Sequence, residues 1–358
     1  MVLGLWLLGG VVSPAGAVDT GEVMAAYRAY MAAYQAGDAE RALAEAERAY
    51  RLAEQVPQVP DRNRAVLAFN YGKMLRLMGE QDAAEAKLSE SLDRFEAVAG
   101  KRAMEIVDPL IELALVETAR DAHMRAIRMY QRALRIVGRS EPPQPVLESD
   151  IRIELSRLYI RAQNAARARG EARAAERALA KLDTPDPLRQ GVIAFQKGYV
   201  EMSASRHKKA IPHLERSVRL MDASTADGHT FQLRARSFLI HAFEELGRSD
   251  EATEHCIDIG HLKQGRGDAE QEPLFKLTPN YPPVAASGGV EGYVIVEFDV
   301  TASGHTENVR VVEADPEGYF ERSATEAAAR FRYAPAIEHG QPVPIPGVQN
   351  LITYQLER

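Results

Sequence analysis

Small and apolar positions recur along this chain with a period of 42 residues. Ala42, Ala84, Ala126, Ala168, Ala210 and Ala252 stand in register, and neighbouring positions repeat with them. Twelve before each alanine come Tyr30, Gly72, Ala114, Ser156, Gly198 and Ile240, mostly small. Four after come Ala46, Leu88, Tyr130, Ala172, Leu214 and Cys256, and seven after come Ala49, Ser91, Ala133, Ala175, Ser217 and Ile259. Offsets of four and seven fall on one helical face, where small side chains let paired helices approach closely. Five before each alanine stands a residue that tolerates a turn: Gly37, Gly79, Asp121, Gln163, Ser205 and Gly247. Breakers lie between the copies, as in Pro57-Gln58-Val59-Pro60, Glu141-Pro142-Pro143-Gln144-Pro145, Thr184-Pro185-Asp186-Pro187 and Ala226-Asp227-Gly228. The pattern predicts a helix–turn–helix unit copied six times over residues 18–264, an all-α array that buries its core by stacking neighbours.

From Pro273 the period changes from helical to two. In Gly292–Val300, Val294, Val296, Phe298 and Val300 alternate with Tyr293, Ile295, Glu297 and Asp299, which predicts a strand with one buried face. Ala302-Ser303-Gly304 reads as a hairpin turn, and His305 to Glu313 as the returning strand with Val309 and Val311. Pro316-Glu317-Gly318 opens a helix carrying Phe320, Ala324, Ala327 or Ala328, and Phe331 inward. Val348 to Leu356 closes the order as a strand with Val348, Ile352, Tyr354 and Leu356 on one side. The result is a ββαβ domain over residues 273–358, an antiparallel sheet with a helix across it, joined to the array by a linker at 265–272.

Composition narrows the chemistry. The chain has 358 residues and a net charge of -7, and the tail from Pro273 carries 11 acidic and 6 basic residues. Neither part has the basic excess of a nucleic-acid binder. Cys256 is the only cysteine, which excludes an intramolecular disulfide. His255, Cys256 and His261 form the one local cluster of metal-binding types, and it lacks a convergent fourth ligand. No nucleophile elbow, phosphate loop or dinucleotide motif occurs, so no catalytic residue and no cofactor is assigned, and the reading is of a protein that is not an enzyme. Residues 1–17 combine the apolar Val2 to Val12 with Ser13-Pro14 and the small-x-small Ala15-Gly16-Ala17. That is the pattern of a secretory signal without a basic start; a retained anchor is the other reading, and both place the protein in the periplasm or facing it from the inner membrane.

The repeats resemble the tetratricopeptide family. Asn70-Tyr71-Gly72 with Gly79 to Leu92, Ala126-Ile127 to Tyr130 to Ala133, and Gln196-Lys197-Gly198-Tyr199 to Ala210-Ile211 carry the likeness. Each copy is about eight residues longer than the usual 34, about one added turn in each helix, which keeps a HEAT-like array as the alternative. The resemblance implies a groove lined by the first helix of each pair. Tyr27, Met31 and Tyr34 fall there in the first copy, Phe69, Lys73 and Arg76 in the second, Arg157 and Arg161 in the fourth, and Phe195, Tyr199 and Met202 in the fifth. Cations flanked by aromatics suit an acidic or C-terminal peptide segment; inter-repeat packing and solvated faces are the competing reading of the same positions.

The tail closely resembles the C-terminal domain of the TonB family. Pro279-Asn280-Tyr281-Pro282 with Ala285, then Gly292 to Val300, Gly304, Val309-Arg310-Val311, Phe320-Glu321 with Ala324 and Ala328, Phe331-Arg332-Tyr333-Ala334-Pro335-Ala336 and Gly340-Gln341-Pro342-Val343 occur in the family order. The resemblance implies that an outer-membrane TonB-dependent receptor adds a peptide strand to the last strand. The pairing residues are then Val348, Asn350, Leu351, Ile352, Tyr354 and Leu356, with Tyr281 and Pro282 as a receptor contact or as the fixed entry to the first strand. Two departures from the family stand out: no histidine precedes His123, where the family's membrane helix meets inner-membrane motor proteins, and Gln264 to Glu272 is far shorter than the family's proline-rich spacer. The expected function is a periplasmic interaction component in energy-dependent transport across the outer membrane. The alternative is a periplasmic scaffold that assembles proteins, including another envelope protein in the repeat groove, without transmitting energy.

Overall fold

The computed structural model describes residues 19–184, 186–264 and 271–356. The leader predicted at 1–17 and most of the predicted linker lie outside them. The chain divides into two compact units, Met1–Asp183 and Thr184–Arg358.

The first unit is a run of helical hairpins. Helix α1 (Thr20–Gln35) packs on α2 (Ala39–Gln55), α3 (Asp61–Leu77) on α4 (Gln81–Ala99), α5 (Val107–Ala119) on α6 (His123–Val137), and α7 (Pro145–Arg161) on α8 (Ala165–Leu179). The second unit opens in the same way, with α9 (Pro187–Met202) on α10 (His207–Leu220) and α11 (Ala226–Glu245) on α12 (Ser249–Lys263). Each alanine of the 42-residue register is fully buried on the second helix of its hairpin. All six turn residues adopt left-handed φ, from 53° at Gln163 and Ser205 to 85° at Gly79. In every case the turn residue's N–H bonds the carbonyl three residues back and the next N–H reaches five back, as Gly37 to Tyr34 and Asp38 to Ala33. This closes the helix by satisfying its orphan carbonyls. Serines of the register add bonds between the two helices of a hairpin: Ser91 Oγ donates to Ala65 O at 2.8 Å and Ser217 Oγ to Gly191 O at 3.0 Å.

After α12 the second unit continues through α13 (Pro283–Gly288), β1 (Gly292–Val300), β2 (Thr306–Asp315), α14 (Glu321–Ala328), β3 (Ala336–Glu338), β4 (Gln341–Val343) and β5 (Ile345–Tyr354). The sheet is antiparallel in the order β2-β1-β5, and β3 and β4 form a separate two-stranded hairpin. Val294, Val296, Phe298 and Val300 of β1 are buried against Ala324, Ala327 and Ala328 of α14, as the alternation predicts. Helix α14 is shorter than predicted, since Phe320 serves as its N-cap residue and Phe331 follows its end, yet both rings are fully buried. The predicted last strand is displaced: it begins at Ile345 and ends at Tyr354, so Leu356 lies beyond it. The β3–β4 hairpin and α13 have too few residues to show a period, and sequence patterning missed both.

The sheet domain is seated on the last hairpin. Arg332 is 1% exposed and its guanidinium reaches across to α11 and α12. Nη1 donates to Glu244 Oε1 at 2.7 Å and to Ser249 O at 3.4 Å, and Nη2 donates to Thr253 Oγ1 at 2.7 Å and Ser303 O at 3.0 Å. Glu244 also accepts from Ser249 Oγ at 2.8 Å. Ser249, Thr253, Cys256 and Gly260 are spaced four, three and four apart, so they form one stripe of small residues on α12. A Cβ on Gly260 would stand 2.7 Å from Pro335 O, and one on Gly304 would stand 3.0 Å from Cys256 Cβ. Phe275 and Ala334 join Leu239, Phe243, Cys256 and Ile259 in one apolar cluster.

Burial lowers the pKa of three histidines in this unit, His241, His255 and His305. Burial lowers His241, with His207 lowering it further against Glu245. Burial and then Arg236 bring His255 down to about 4, against Asp258. His305, whose Nε2 accepts from Arg332 Nη1 at 2.8 Å, is lowered by burial and then by Arg332, against Glu244, Glu307 and Asp250. A histidine with a depressed folded value binds fewer protons folded than unfolded, so stability falls as pH drops through the ordinary 6.5 and keeps falling toward about 4. Urea unfolding of the second unit, followed by hydrogen exchange in α11 and α12, is expected to show a lower midpoint at pH 5 than at pH 7. An unchanged or higher midpoint would contradict the burial of these rings.

Candidate functional site

Strand β5 has a partner on one side only, β1. Its alternation turns Val348, Ile352 and Tyr354 into the core and leaves Gln349, Leu351 and Thr353 exposed, Leu351 at 52%. The register with β1 runs unbroken from Gly292↔Tyr354 to Phe298↔Val348. Antiparallel strands alternate residues that bond across the ladder with residues that point away from it. Two contacts fix which are which. Leu351 O accepts from Lys276 Nζ at 3.1 Å, a residue outside the sheet, and Leu356 N–H donates to Glu291 Oε1 at 3.0 Å, beside the start of β1. The alternation therefore directs the main chain of Gln349, Leu351 and Thr353 to the open edge. That edge borders a cleft of about 470 Å³ whose other wall is Gln271, Glu272 and Pro273. The edge carries main-chain donors and acceptors, with Lys276 Nζ on one of them.

Tyr281 and Pro282 sit at the opposite end of β5. The Tyr281 ring stands edge-on to Phe320 at 5.7 Å and to Tyr354 at 5.8 Å, and its hydroxyl donates to Val290 O at 2.6 Å. Pro282 is the residue before α13. These contacts anchor the segment that enters β1. Tyr354 itself stacks on Phe320 at 4.2 Å.

The repeat residues behave differently from the groove expected of them. Tyr27, Phe69 and Phe195 are buried, the last among Tyr199, Phe231 and Phe238, so their rings are packing and offer no surface to a ligand. In the first unit Met31 and Tyr34 are half-buried and Lys73 Nζ lies 4.8 Å above the Tyr34 ring. Arg76 Nε bonds Glu112 Oε2 at 2.6 Å and Arg157 bonds Glu154 at 2.6 Å, while Arg161 is exposed. Burial raises the carboxyls of Asp108, with Glu112 adding to it, and of Glu154. Sequence reasoning saw the cations on this face and missed the carboxylates: Glu112 meets Arg76 from a separate helix, while Glu154 lies one turn before Arg157 on α7 itself. In the second unit Tyr199 and Met202 are half-buried, with Tyr199 packed on Phe195 and Phe238.

Arg332, Glu244 and Lys276 are the positions whose roles the sequence did not announce. Cys256 is buried, its thiol 3.7 Å from Arg332 Nη2 and pushed up to about 11 by burial against the opposing pull of Arg332, so it is a packed thiol without thiolate chemistry near neutral pH. The His255 ring stacks on Phe243 at 5.7 Å, and its Nδ1 is 3.2 Å from Arg236 Nη1.

Residues 278–356 match the family described as Gram-negative bacterial TonB protein C-terminal. The chain is 34% identical over 74 residues to protein TonB of Pseudomonas aeruginosa, an alignment covering 21% of this chain and 22% of that protein. It is 44% identical over 62 residues to protein TonB of Escherichia coli, covering 17% and 26%. The chain thus spans about a quarter or less of the first of these relatives and about a quarter of the second. The structure of a signal-transduction ATPase with numerous domains and a tetratricopeptide repeat sensor, from Pyrococcus horikoshii, superposes with a TM-score of 0.59 at 12% identity, over 70% of this chain and 36% of that one. The N-terminal helices are a tetratricopeptide-like solenoid, and the tail is a TonB-type C-terminal domain.

Proposed function

We propose, from a tail of the TonB type, that this chain is a protein-docking component of the cell envelope that receives a strand from an outer-membrane TonB-dependent receptor on β5. What supports the reading is the edge of β5 that no strand covers, where the main chain of Gln349, Leu351 and Thr353 turns away from β1, with Lys276 Nζ on Leu351 O and a cleft alongside. Strand addition draws its affinity from main-chain bonds, so it places loose demands on side chains along the edge. Within this reading the protein takes part in energy-dependent transport, with inner-membrane motor proteins reached through residues 1–17 and the repeats setting reach or holding a further envelope protein. No catalytic role is proposed for either part.

A second reading is favoured by the seating of Arg332 on α11 and α12, which fixes the sheet domain to a repeat hairpin where a transducer of the TonB type has a long spacer. In it the chain is a periplasmic scaffold that assembles proteins and transmits no force. The intact mass and membrane fraction of the native protein separate the two: a retained, membrane-bound N-terminus belongs to the first, a soluble cleaved species to the second.

The strand reading itself is tested by anisotropy titration of the full chain with a labelled peptide from the N-terminal segment of such a receptor. Saturable binding is expected, and the same peptide N-methylated at alternate residues is expected to lose it. Equal binding by both peptides would remove main-chain pairing as the mechanism.

A further inference from the structure

A second feature of the first unit is independent of the β5 edge. A cavity of about 590 Å³ opens where α4 ends, where the segment after it turns, and where α6 ends. Five cations line it: Lys101, Arg102, Arg132, Arg135 and Arg139. The one lining carboxylate, Glu96, is paired with Arg132, which also donates to Lys101 O at 3.3 Å and so braces the turn against α6. Lys101, Arg102, Arg135 and Arg139 have no carboxylate partner among the described residues.

Elsewhere in this unit several arginines are each shared by two carboxylates. Arg94 is shared by Glu54 and Glu90, Arg120 by Asp82 and Glu85, and Arg152 by Glu148 and Glu171. On α6 the spacing of Arg125, Arg128, Arg132 and Arg135 sets one stripe down the helix, with Arg139 just past its end and no acidic residue between them. Helix polarity accounts for part of the excess, because cations are favoured at C-terminal ends. The ends of α4 and α6 contribute about half a negative charge each. Four unpaired cations exceed that severalfold, and their mutual repulsion in one hollow is relieved by an anion. Guanidinium groups converging on a cavity of this size fit a compact, multiply charged oxyanion better than a single carboxylate.

We propose that this cavity binds a phosphate-bearing anion, supplied either as the headgroup of an anionic phospholipid or as a soluble phosphate ester. Val98 and Met104 flank the cations and are 46% and 37% exposed, an apolar rim that a bilayer surface would cover and a soluble anion would leave open.

The test uses the full chain at about 0.1 M salt, where surface charges farther apart than about 10 Å are screened. Calorimetric titration with pyrophosphate reports on the soluble source. Co-sedimentation with vesicles of phosphatidylcholine alone and of phosphatidylcholine with phosphatidylglycerol reports on the headgroup. Binding of pyrophosphate without anionic vesicles assigns a soluble ligand, and the reverse assigns a headgroup. The double variant Arg135→Glu, Arg139→Glu is expected to weaken binding by at least about tenfold, near the loss of two surface cations. Arg128→Glu, on the same helix outside the cavity, is expected to keep it, with circular dichroism confirming both folds. Failure of the wild type to bind either probe overturns the proposal. So does an equal loss in Arg128→Glu, which would reduce the effect to the general charge of α6.

Discussion

Replacing Glu244 with alanine is expected to cost the second unit about 3–5 kcal/mol, the scale for leaving one member of a buried ion pair alone. Arg332 and Glu244 are 1% and 7% exposed, so neither charge has water to fall back on. The remaining ligands of the guanidinium are neutral: Ser249 O, Thr253 Oγ1, Ser303 O and His305 Nε2. They meet hydrogens of its two terminal nitrogens, leave Nε without a partner among the described residues, and do not answer its charge. The converse change, Arg332→Met, removes the charge with much of the volume kept and leaves Glu244 with the Ser249 hydroxyl. It is expected to be the milder of the two, because a buried carboxylate left alone can take up a proton and become neutral, whereas a guanidinium left alone cannot lose one. Hydrogen exchange across α11, α12 and β1 is the readout, since it separates local release of the sheet domain from global unfolding. Losses below about 1 kcal/mol in both variants would make the contact dispensable, the range of an exposed pair.

The second large effect separates binding from folding on one strand. Leu351→Pro is expected to weaken receptor-peptide binding by at least about tenfold, or about 1.4 kcal/mol, with the melting temperature little changed. The Leu351 N–H faces the open edge, so proline there removes a donor the incoming strand needs and sets a ring against it, while the ladder to β1 keeps its bonds. Ile352 is the wrong position for the same experiment. Its side chain is buried and its N–H faces β1, so Ile352→Pro breaks the sheet and loses binding through unfolding. A folded Leu351→Pro protein that binds normally would show that this edge is not where the strand goes.

Local features of the fold were legible in the sequence, and long-range ones were not. The turn residues from Gly37 to Gly247 could be found because a left-handed residue closes the first helix of each hairpin at a fixed distance from the next buried alanine. Strand β1 showed itself through nine alternating residues. The open edge of β5 was reached through a family likeness, and its usable register came only from where Lys276 and Glu291 meet it. Arg332 sat inside a quoted motif with no visible task, because its partner Glu244 lies 88 residues earlier. The cations of the expected groove were plain to see, but the pairing of Arg76 with Glu112 depends on which helices face each other, whereas Glu154 stands one turn before Arg157 on the same helix. Charge on a helix surface says nothing of itself about the charge opposite.

The stripe of Ser249, Thr253, Cys256 and Gly260 on α12 bears on how such a chain changes length over time. Repeat arrays grow and shrink by gain or loss of interchangeable units, since each unit meets only its neighbours. The hairpin of α11 and α12 is not interchangeable with the others. Its outer face is shaped to one guest, with Gly260 under the Pro335 carbonyl and Thr253 beneath a guanidinium. An insertion or deletion that swapped in another copy would replace these small residues with those of an ordinary second helix and eject the sheet domain. Exchange of repeats is therefore expected to be tolerated among hairpins before the last and not at α11–α12, which the tail requires as its seat.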